Sequence, residues 1–524
     1  MPQNRSPGSW LENVKDRKLT LAIDKESQDG MVEEPHGLLV PGRNCWRIER
    51  ANRLALIVDA ADYFRLVKAA MLKAKHSLML IGWDFDTRIK FEPEEQTLEG
   101  PNHLGRFLSW LPRHRPELRI YVLKWDLGMV QALGRGMTPV FILDWMTSKR
   151  LRFKLDGAHP VGAAHHQKIV VIDDALAFCG GIDMTVDRWD TRHHFDDDPR
   201  RTKPNGKAYG PWHDATTAVD GQAARALGEL ARERWQQATG ERLEPAMAET
   251  DAWPEDLPST IHQVDVAIAR TLPELGDRQE VREIETLYID AIGQAKRTIY
   301  IETQYLASRR IAEAFAQRLR EPHGPEIVII LPETADGWLE KKAMDGARQK
   351  LLHILWRADV HRHLGVFYPV TDAGKAIYVH AKIMVIDDRL LRVGSSNLNN
   401  RSMGFDTECD LAIEVTRGSA DGERLRETIL SIRQDLLCEH LNVKPDAFSA
   451  AMEGVSGSLL RTIAILCKPG RTLKRFKPVE IDEDESALAE NELMDPERTP
   501  ASLKVRVSGS LSELLAGIWV RHPQ

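Results

Sequence analysis

Short apolar-rich runs recur along the chain, at 78–81 (LMLI), 118–123 (LRIYVL), 169–172 (IVVI), 299–301 (IYI), 327–331 (IVIIL) and 383–386 (IMVI). Each is bounded by polar or turn-forming residues, as expected of strands buried on both faces. Longer stretches with helical spacing separate them, so the pattern predicts an α/β fold in which strands and helices form stacked layers.

The pattern is duplicated. A helical stretch closing on Ala74-Lys75 before the first run has its counterpart at Ala295-Lys296, and Pro116-Glu117 before the second run matches Pro325-Glu326. His166-Gln167-Lys168 before Ile169–Ile172 matches His380-Ala381-Lys382 before Ile383–Ile386. Three markers in one order, displaced by roughly 210 residues each time, predict two copies of one unit. A Pro-, Glu- and Asp-rich stretch at 244–258 marks the boundary. The expected organisation is an N-terminal extension over 1–45, a first half over 46–250, a second half over 251–445 and a polar, partly disordered tail over 446–524. In that tail a basic cluster (Lys468, Arg471, Lys474, Arg475, Lys477) precedes an acidic run at 480–485, and a solvated segment is a simpler reading than a lipid-headgroup contact.

Composition narrows the function. The 524 residues carry 71 Lys and Arg against 78 Asp and Glu, a net charge of −7, which weighs against a protein whose task is to hold long nucleic acid. Five scattered cysteines without a CxxC pair predict reduced thiols rather than a disulfide framework or a zinc site. No run approaches the ~18 apolar residues of a membrane span, and the polar N-terminal residues do not read as a secretory signal. The expected setting is cytoplasmic or peripheral to a membrane, or reached by a signal-independent route.

The chemistry sits in the duplicated segment. Both copies read His-x-Lys, four residues, Asp, six residues, Gly: His166, Lys168, Asp173, Gly180 and His380, Lys382, Asp387, Gly394. Two such matches by chance have an expectation on the order of 10⁻⁵. His and Lys two apart on a strand share a face, whereas Asp at an odd separation turns away or opens a hairpin. Asp173 and Asp387 are therefore expected to support the site structurally. The glycines closing each hairpin are expected to let backbone approach a ligand. Brought together, the copies would surround a phosphodiester with two imidazoles and two ammonium groups, a site for which no metal is required. One histidine would attack phosphorus while the other protonates the leaving alkoxide and later activates the incoming water or alcohol. Each imidazole needs a carboxylate on its other nitrogen, and the expectation assigns Asp214 to His166 and Glu408 to His380.

Further stretches add to this: Gly180-Gly181-Ile182-Asp183, Arg188-Trp189-Asp190-Thr191 and Gly210-Pro211-Trp212-His213-Asp214 in the first copy. The second copy has Ile299-Tyr300-Ile301-Glu302-Thr303-Gln304-Tyr305, Ile377-Tyr378-Val379-His380, Gly394-Ser395-Ser396-Asn397 and Asn400-Arg401-Ser402-Met403. Over roughly residues 50–445 the chain resembles the phospholipase D superfamily, in particular its phosphatidylcholine-type branch. The resemblance implies two pseudo-symmetric αβα sandwich halves sharing one active site, with His166 as nucleophile and His380 as general acid/base. It further implies phosphate binding by Lys168, Lys382 and Asn397, with Ser395, Gly394 and Asp183 completing the substrate-binding set. Asp183 stands where the second copy has Asn397, so it must be neutralised by a lysine or a proton, or else hold structure. Thr303 replaces the asparagine of the usual Glu-Asn-Gln-Tyr stretch.

The implied activity is hydrolysis of phosphatidylcholine-like lipids to phosphatidic acid and free headgroup at a bilayer surface, with water or small alcohols as acceptor. No cofactor is implied for the chemical step, and a monomer would suffice. The alternatives weighed are a cardiolipin-synthase-like phosphatidyltransferase, a nucleic-acid phosphodiesterase and a non-catalytic lipid-binding protein. The acidic stretch at 192–198 (RHHFDDD) reads as a solvated loop rather than a cation site, with calcium assistance at the lipid surface left open. His165, Trp189 and Trp212 read as packed side chains before they read as ligand contacts.

Overall fold

The alternating apolar runs become neighbouring strands of one mixed sheet. In the computed structural model, which describes residues 37–126, 148–246, 250–336, 338–415, 420–477 and 495–496, the sheet has sixteen strands among the described residues. The first half contributes, from the centre outward, Arg47–Val58, Ala215–Asp220, Leu176–Gly180, Ile169–Ile172, Ser77–Gly82, Arg119–Trp125 and Leu151–Asp156. The second half repeats that order with Ile261–Leu272, Glu408–Glu414, Leu390–Gly394, Ile383–Ile386, Thr298–Glu302, Glu326–Ile330 and Leu364–Val370. In both halves the last three strands run parallel and the rest antiparallel. Arg47–Val58 and Ile261–Leu272 pair antiparallel from Arg47↔Ile268 to Leu54↔Ile261, so the two copies share a continuous sheet.

Side-chain alternation explains why the strands are apolar throughout. Leu78 and Leu80 face helices Ala60–Leu72 and Leu104–His114, while Met79 and Ile81 face helix Gly221–Thr239. In the second half Ile299 and Ile301 face helices Glu283–Gln294 and Arg309–Leu319, while Tyr300 faces the opposite layer with helix Ala420–Leu441. Period-two alternation thus feeds two hydrophobic layers, and each fully buried Leu or Ile contributes about 1.5–3 kcal/mol. One layer is shared by both halves and the other is divided between them.

The tail departs from expectation. Residues 445–477 are folded: helices Pro445–Gly454 and Leu459–Leu466 pack in the shared layer, and Thr472–Arg475 adds an antiparallel strand beside Leu364–Val370. The second helix is anchored by Glu326, whose carboxylate accepts from the Leu459 and Leu460 amides and the Ser458 hydroxyl. Of the basic cluster, Arg471 is buried and donates to the carbonyls of Glu439, Arg192 and His193. An amphipathic pattern in two short helices was hidden behind the charge of the strand that follows. The acidic run at 480–485 and most of the N-terminal extension lie outside the described residues. The cysteines are free thiols. Among the described residues, no helix is long and apolar enough to cross a membrane.

Candidate active site

Each His-x-Lys segment lies at the mouth of a hairpin whose far turn holds the motif aspartate. Asp173 adopts φ 52° there and accepts hydrogen bonds from the amides of Lys75, His76 and Ser77. Asp387, at φ 53°, does the same for Lys296, Arg297 and Thr298. Both carboxylates therefore lock the start of a neighbouring strand, across the length of the hairpin from the imidazoles. They belong to the motif but not to the reacting groups, as their odd spacing implied.

The hairpin glycines have a different reason from the expected ligand approach. A Cβ on Gly394 would stand 1.9 Å from Asp410 Oδ1, and one on Gly180 would stand 2.4 Å from Thr216 Cα. They make room for the next strand, and Gly181 does the same for Asp214, whose Oδ1 would lie 2.3 Å from an added Cβ.

Two short main-chain pairings cross between the halves. Tyr378 and Val379 pair parallel with Trp212 and His213, and the His380 amide donates to the His213 carbonyl at 2.8 Å. In the pseudo-symmetric place, His165 bridges Thr407, and the His166 amide donates to the Thr407 carbonyl at 3.0 Å. The residue following each acceptor is the carboxylate, so each half supplies the acid for the other half's histidine. His166 Nδ1 lies 2.9 and 3.0 Å from the two oxygens of Glu408, and His380 Nδ1 lies 2.7 Å from Asp214 Oδ2. The expected assignment is thus reversed: proximity in sequence favoured Asp214 for His166, but the crossed pairings bring each acid to the opposite imidazole.

With Nδ1 turned to a carboxylate, each ring presents Nε2 as its reactive nitrogen. Burial, then the charges of Lys168 and Lys382, hold His166 well below the usual imidazole range. Burial, Lys382, Arg188 and Lys168 do the same to His380. Burial raises both orienting carboxyls. Glu408 is further fixed by the Ser402 hydroxyl at 2.7 Å and by the Ser395 hydroxyl. Ser395, expected to bind substrate, spends its hydroxyl on this carboxylate. Ser402 lies in a short π-helix, Arg401–Phe405, that brings its hydroxyl onto Glu408.

Each lysine ammonium donates to the carbonyl of its own histidine. Lys168 also pairs with Asp183 at 3.2 Å, which meets the requirement that this carboxylate be neutralised, and Asp183 Oδ1 accepts the Trp83 amide at 3.2 Å. Lys382 instead faces Gln304 Oε1 at 3.3 Å, and burial lowers its proton affinity. Asn397 is buried, its amide bound to the Ser402 hydroxyl, and its Oδ1 has no hydrogen-bond partner among the described residues. Thr303 accepts from the Leu398 amide and donates to the Tyr305 carbonyl, a local clasp beside Gln304.

The remaining expectations resolve simply. Trp212 is buried, stacked on Tyr378 at 4.4 Å with Arg188 over its face, and Trp189 is buried under Arg200. His165 is buried against Thr407. In the acidic stretch, Asp196 is held by Thr371 and Ala373, Asp197 by Lys375 and Asp198 by Arg200, so these acids are engaged by protein groups. Ser402, Gln304 and His213 went unassigned in sequence, although all three lie in the motif stretches quoted for the second copy and the Trp212-His213-Asp214 segment.

Residues 288–424 match the family described as "Cardiolipin synthase, PLD-like domain", and residues 369–482 match "Phospholipase D". The chain is 24% identical over 474 residues to phospholipase D A of Dictyostelium discoideum, covering 74% of this chain and 36% of that protein. It is 26% identical over 526 residues to phospholipase D alpha 2 of Oryza sativa subsp. japonica, covering 72% of this chain and 63% of that one. The chain thus spans between about a third and two thirds of these relatives' length. Among solved structures, the phosphatidylserine synthase of Haemophilus influenzae Rd KW20 matches with a TM-score of 0.47 at 12% identity, covering 79% of this chain and 95% of that one. Duplicated His-x-Lys hairpins crossed onto each other's carboxylates thus occur in a chain that matches two phospholipase D-type family models in its second half and is similar to curated phospholipases D over about three quarters of its length.

Proposed function

We propose that the protein is a phospholipase D that cleaves the distal phosphodiester of phosphatidylcholine-like glycerophospholipids, and that the reaction needs no cofactor in its chemical step. The observation that carries this reading is the pair of crossed imidazole–carboxylate contacts, His166–Glu408 and His380–Asp214, each beside its own lysine. The Nε2 lone pair of His166 attacks phosphorus as the bond to the headgroup oxygen breaks, and His380, which takes a proton on Nε2 when the bound phosphate offsets the cations that depress it, gives that proton to the leaving alkoxide. Glu408 stabilises the cationic phospho-imidazole, and Asp214 stabilises the imidazolium that precedes proton transfer. Water or an alcohol then loses its proton to His380 Nε2 and attacks phosphorus, and the P–N bond breaks. Lys168, Lys382 and Asn397 hold the non-bridging oxygens, where negative charge grows in the transition state. One chain supplies every one of these groups, so a monomer suffices.

The lipid substrate rests on the names of the relatives, and the family description naming cardiolipin synthase supports a second reading in which an alcohol is the natural acceptor. Phosphatidylcholine vesicles with a dilute primary alcohol, incubated with the protein and with His166→Ala, distinguish these. Phosphatidic acid and phosphatidyl-alcohol from the unchanged protein alone support the phospho-histidine route on lipid. Turnover only of phosphatidylglycerol favours the transferase, and turnover only of nucleic acid overturns the lipid reading.

A further inference from the structure

Immediately before Asp214, a second constellation is completely enclosed. His213 Nδ1 lies 2.8 Å from Glu439 Oε1 and 3.5 Å from Asp59 Oδ1. His194 Nε2 lies 3.1 Å from the same Glu439 oxygen and 3.5 Å from Asp59 Oδ2. All four side chains are nearly or fully buried, and one donor atom from each lies within 4.8 Å of every other. A tetrahedral zinc ion with bonds near 2.0–2.1 Å sets its ligand atoms about 3.3–3.4 Å apart, a spacing these separations bracket.

Two independent observations point to a cation within this set. His213 Nδ1 and Asp59 Oδ2 make no well-aligned hydrogen bond among the described residues, although both are shielded from water and stand 2.8 Å from Glu439 and 3.5 Å from His194 respectively. The outward nitrogens are also engaged as metal-bound imidazoles commonly are: His194 Nδ1 meets Asp190 Oδ2 at 3.0 Å, and His213 Nε2 meets Glu302 Oε2 at 2.7 Å. Two carboxylates among the four inner groups balance a divalent charge.

We propose that Asp59, His194, His213 and Glu439 bind one divalent cation of the zinc class, in a structural rather than a chemical role. Two imidazoles with two carboxylates are a donor set for zinc or cobalt and a poor one for calcium. The site ties four distant segments together next to the general acid's support, because the Asp214 amide donates to Asp59 Oδ1 and the His213 carbonyl accepts from His380. The inference does not depend on which phosphodiester the protein cleaves.

The test is metal content of the full chain, produced in zinc-supplemented medium, purified without chelator and assayed by mass spectrometry. About one zinc per folded chain is expected, with the intense visible absorption of tetrahedral cobalt when Co²⁺ is supplied to chelator-stripped protein. His194→Asn and Glu439→Gln are expected to lower metal content at least tenfold, whereas His166→Ala keeps it. Where a variant does not fold, the cobalt spectrum of the unchanged protein decides. Folded protein that takes up neither metal overturns the proposal and leaves an imidazolium–carboxylate network. Metal lost equally in His166→Ala overturns it too, by placing the ion at the paired imidazoles.

Discussion

The two His-x-Lys hairpins have the same backbone and different surroundings. His166 keeps 15% of its side chain exposed and is held by a carboxylate that two serine hydroxyls clamp. His380 is 6% exposed, held by one short contact to Asp214, with the Trp212 ring 5.4 Å away. Lys168 has a carboxylate partner in Asp183, whereas Lys382 faces a neutral amide. Duplication supplied a symmetric frame, and a few substitutions around it made one imidazole open and firmly oriented and left one lysine's charge uncompensated at contact distance. Under the proposed reaction a nucleophile needs the first property and a phosphate oxygen the second, so the asymmetry is where a division of labour would reside.

The largest expected effect removes an imidazole. His166→Ala and His380→Ala each lose about 10⁴-fold or more of turnover. Only His380→Ala, given a substrate with a good leaving group, accumulates a phosphatidyl group bonded to His166, read by mass spectrometry at alkaline pH. Accumulation on His380 in His166→Ala instead would exchange the two roles. Glu408→Gln and Asp214→Asn are expected to cost about 10²–10⁴-fold. Pre-steady-state kinetics separates them, because Glu408→Gln slows the burst for every leaving group and Asp214→Asn slows it most for poor ones.

Gly394→Ala and Gly180→Ala test the frame rather than the chemistry. Each places a methyl group inside the neighbouring strand, and denaturant unfolding is expected to show a loss of about 1–3 kcal/mol in both. Asp183→Asn makes the first copy resemble the second. It leaves Lys168 buried without its counter-charge, so the melting temperature falls in buffer and rises more with added inorganic phosphate than that of the unchanged protein. The smallest effect concerns Lys382, which burial lowers to about 7. As pH rises through that value the ammonium is lost, so kcat/KM falls on the alkaline side well before the ordinary lysine range. Gln304→Glu sets a carboxylate beside the ammonium, and the limb is expected to move upward by about one pH unit.

Much of this was legible in the sequence. The duplicated apolar runs gave the α/β layers, and the spacing of His166 and His380 located the site, because both signals are local. The carboxylate partners were read backwards because Asp214 follows His166 in its own half, and only main-chain pairing between halves reveals the exchange. The cluster around His213 was invisible for a related reason. Asp59, His194, His213 and Glu439 share no spacing, and the 192–198 stretch reads as a solvated loop although its His194 is buried, while the acids that follow it bind protein groups. The tail misled through composition, since strand pairing by Thr472–Arg475 satisfies backbone groups whatever charge the exposed side chains carry.

The exchange of carboxylates bears on synthesis. Glu408 follows His166 by 242 residues, and at about 5–20 residues per second a ribosome needs on the order of 10–50 s to add them. Throughout that interval the nascent first half carries an imidazole without Glu408 to orient it, and for most of it His380 has not yet been made. A growing chain therefore lacks an assembled pair of oriented imidazoles, and the site forms only after His380 and Glu408 have both been added.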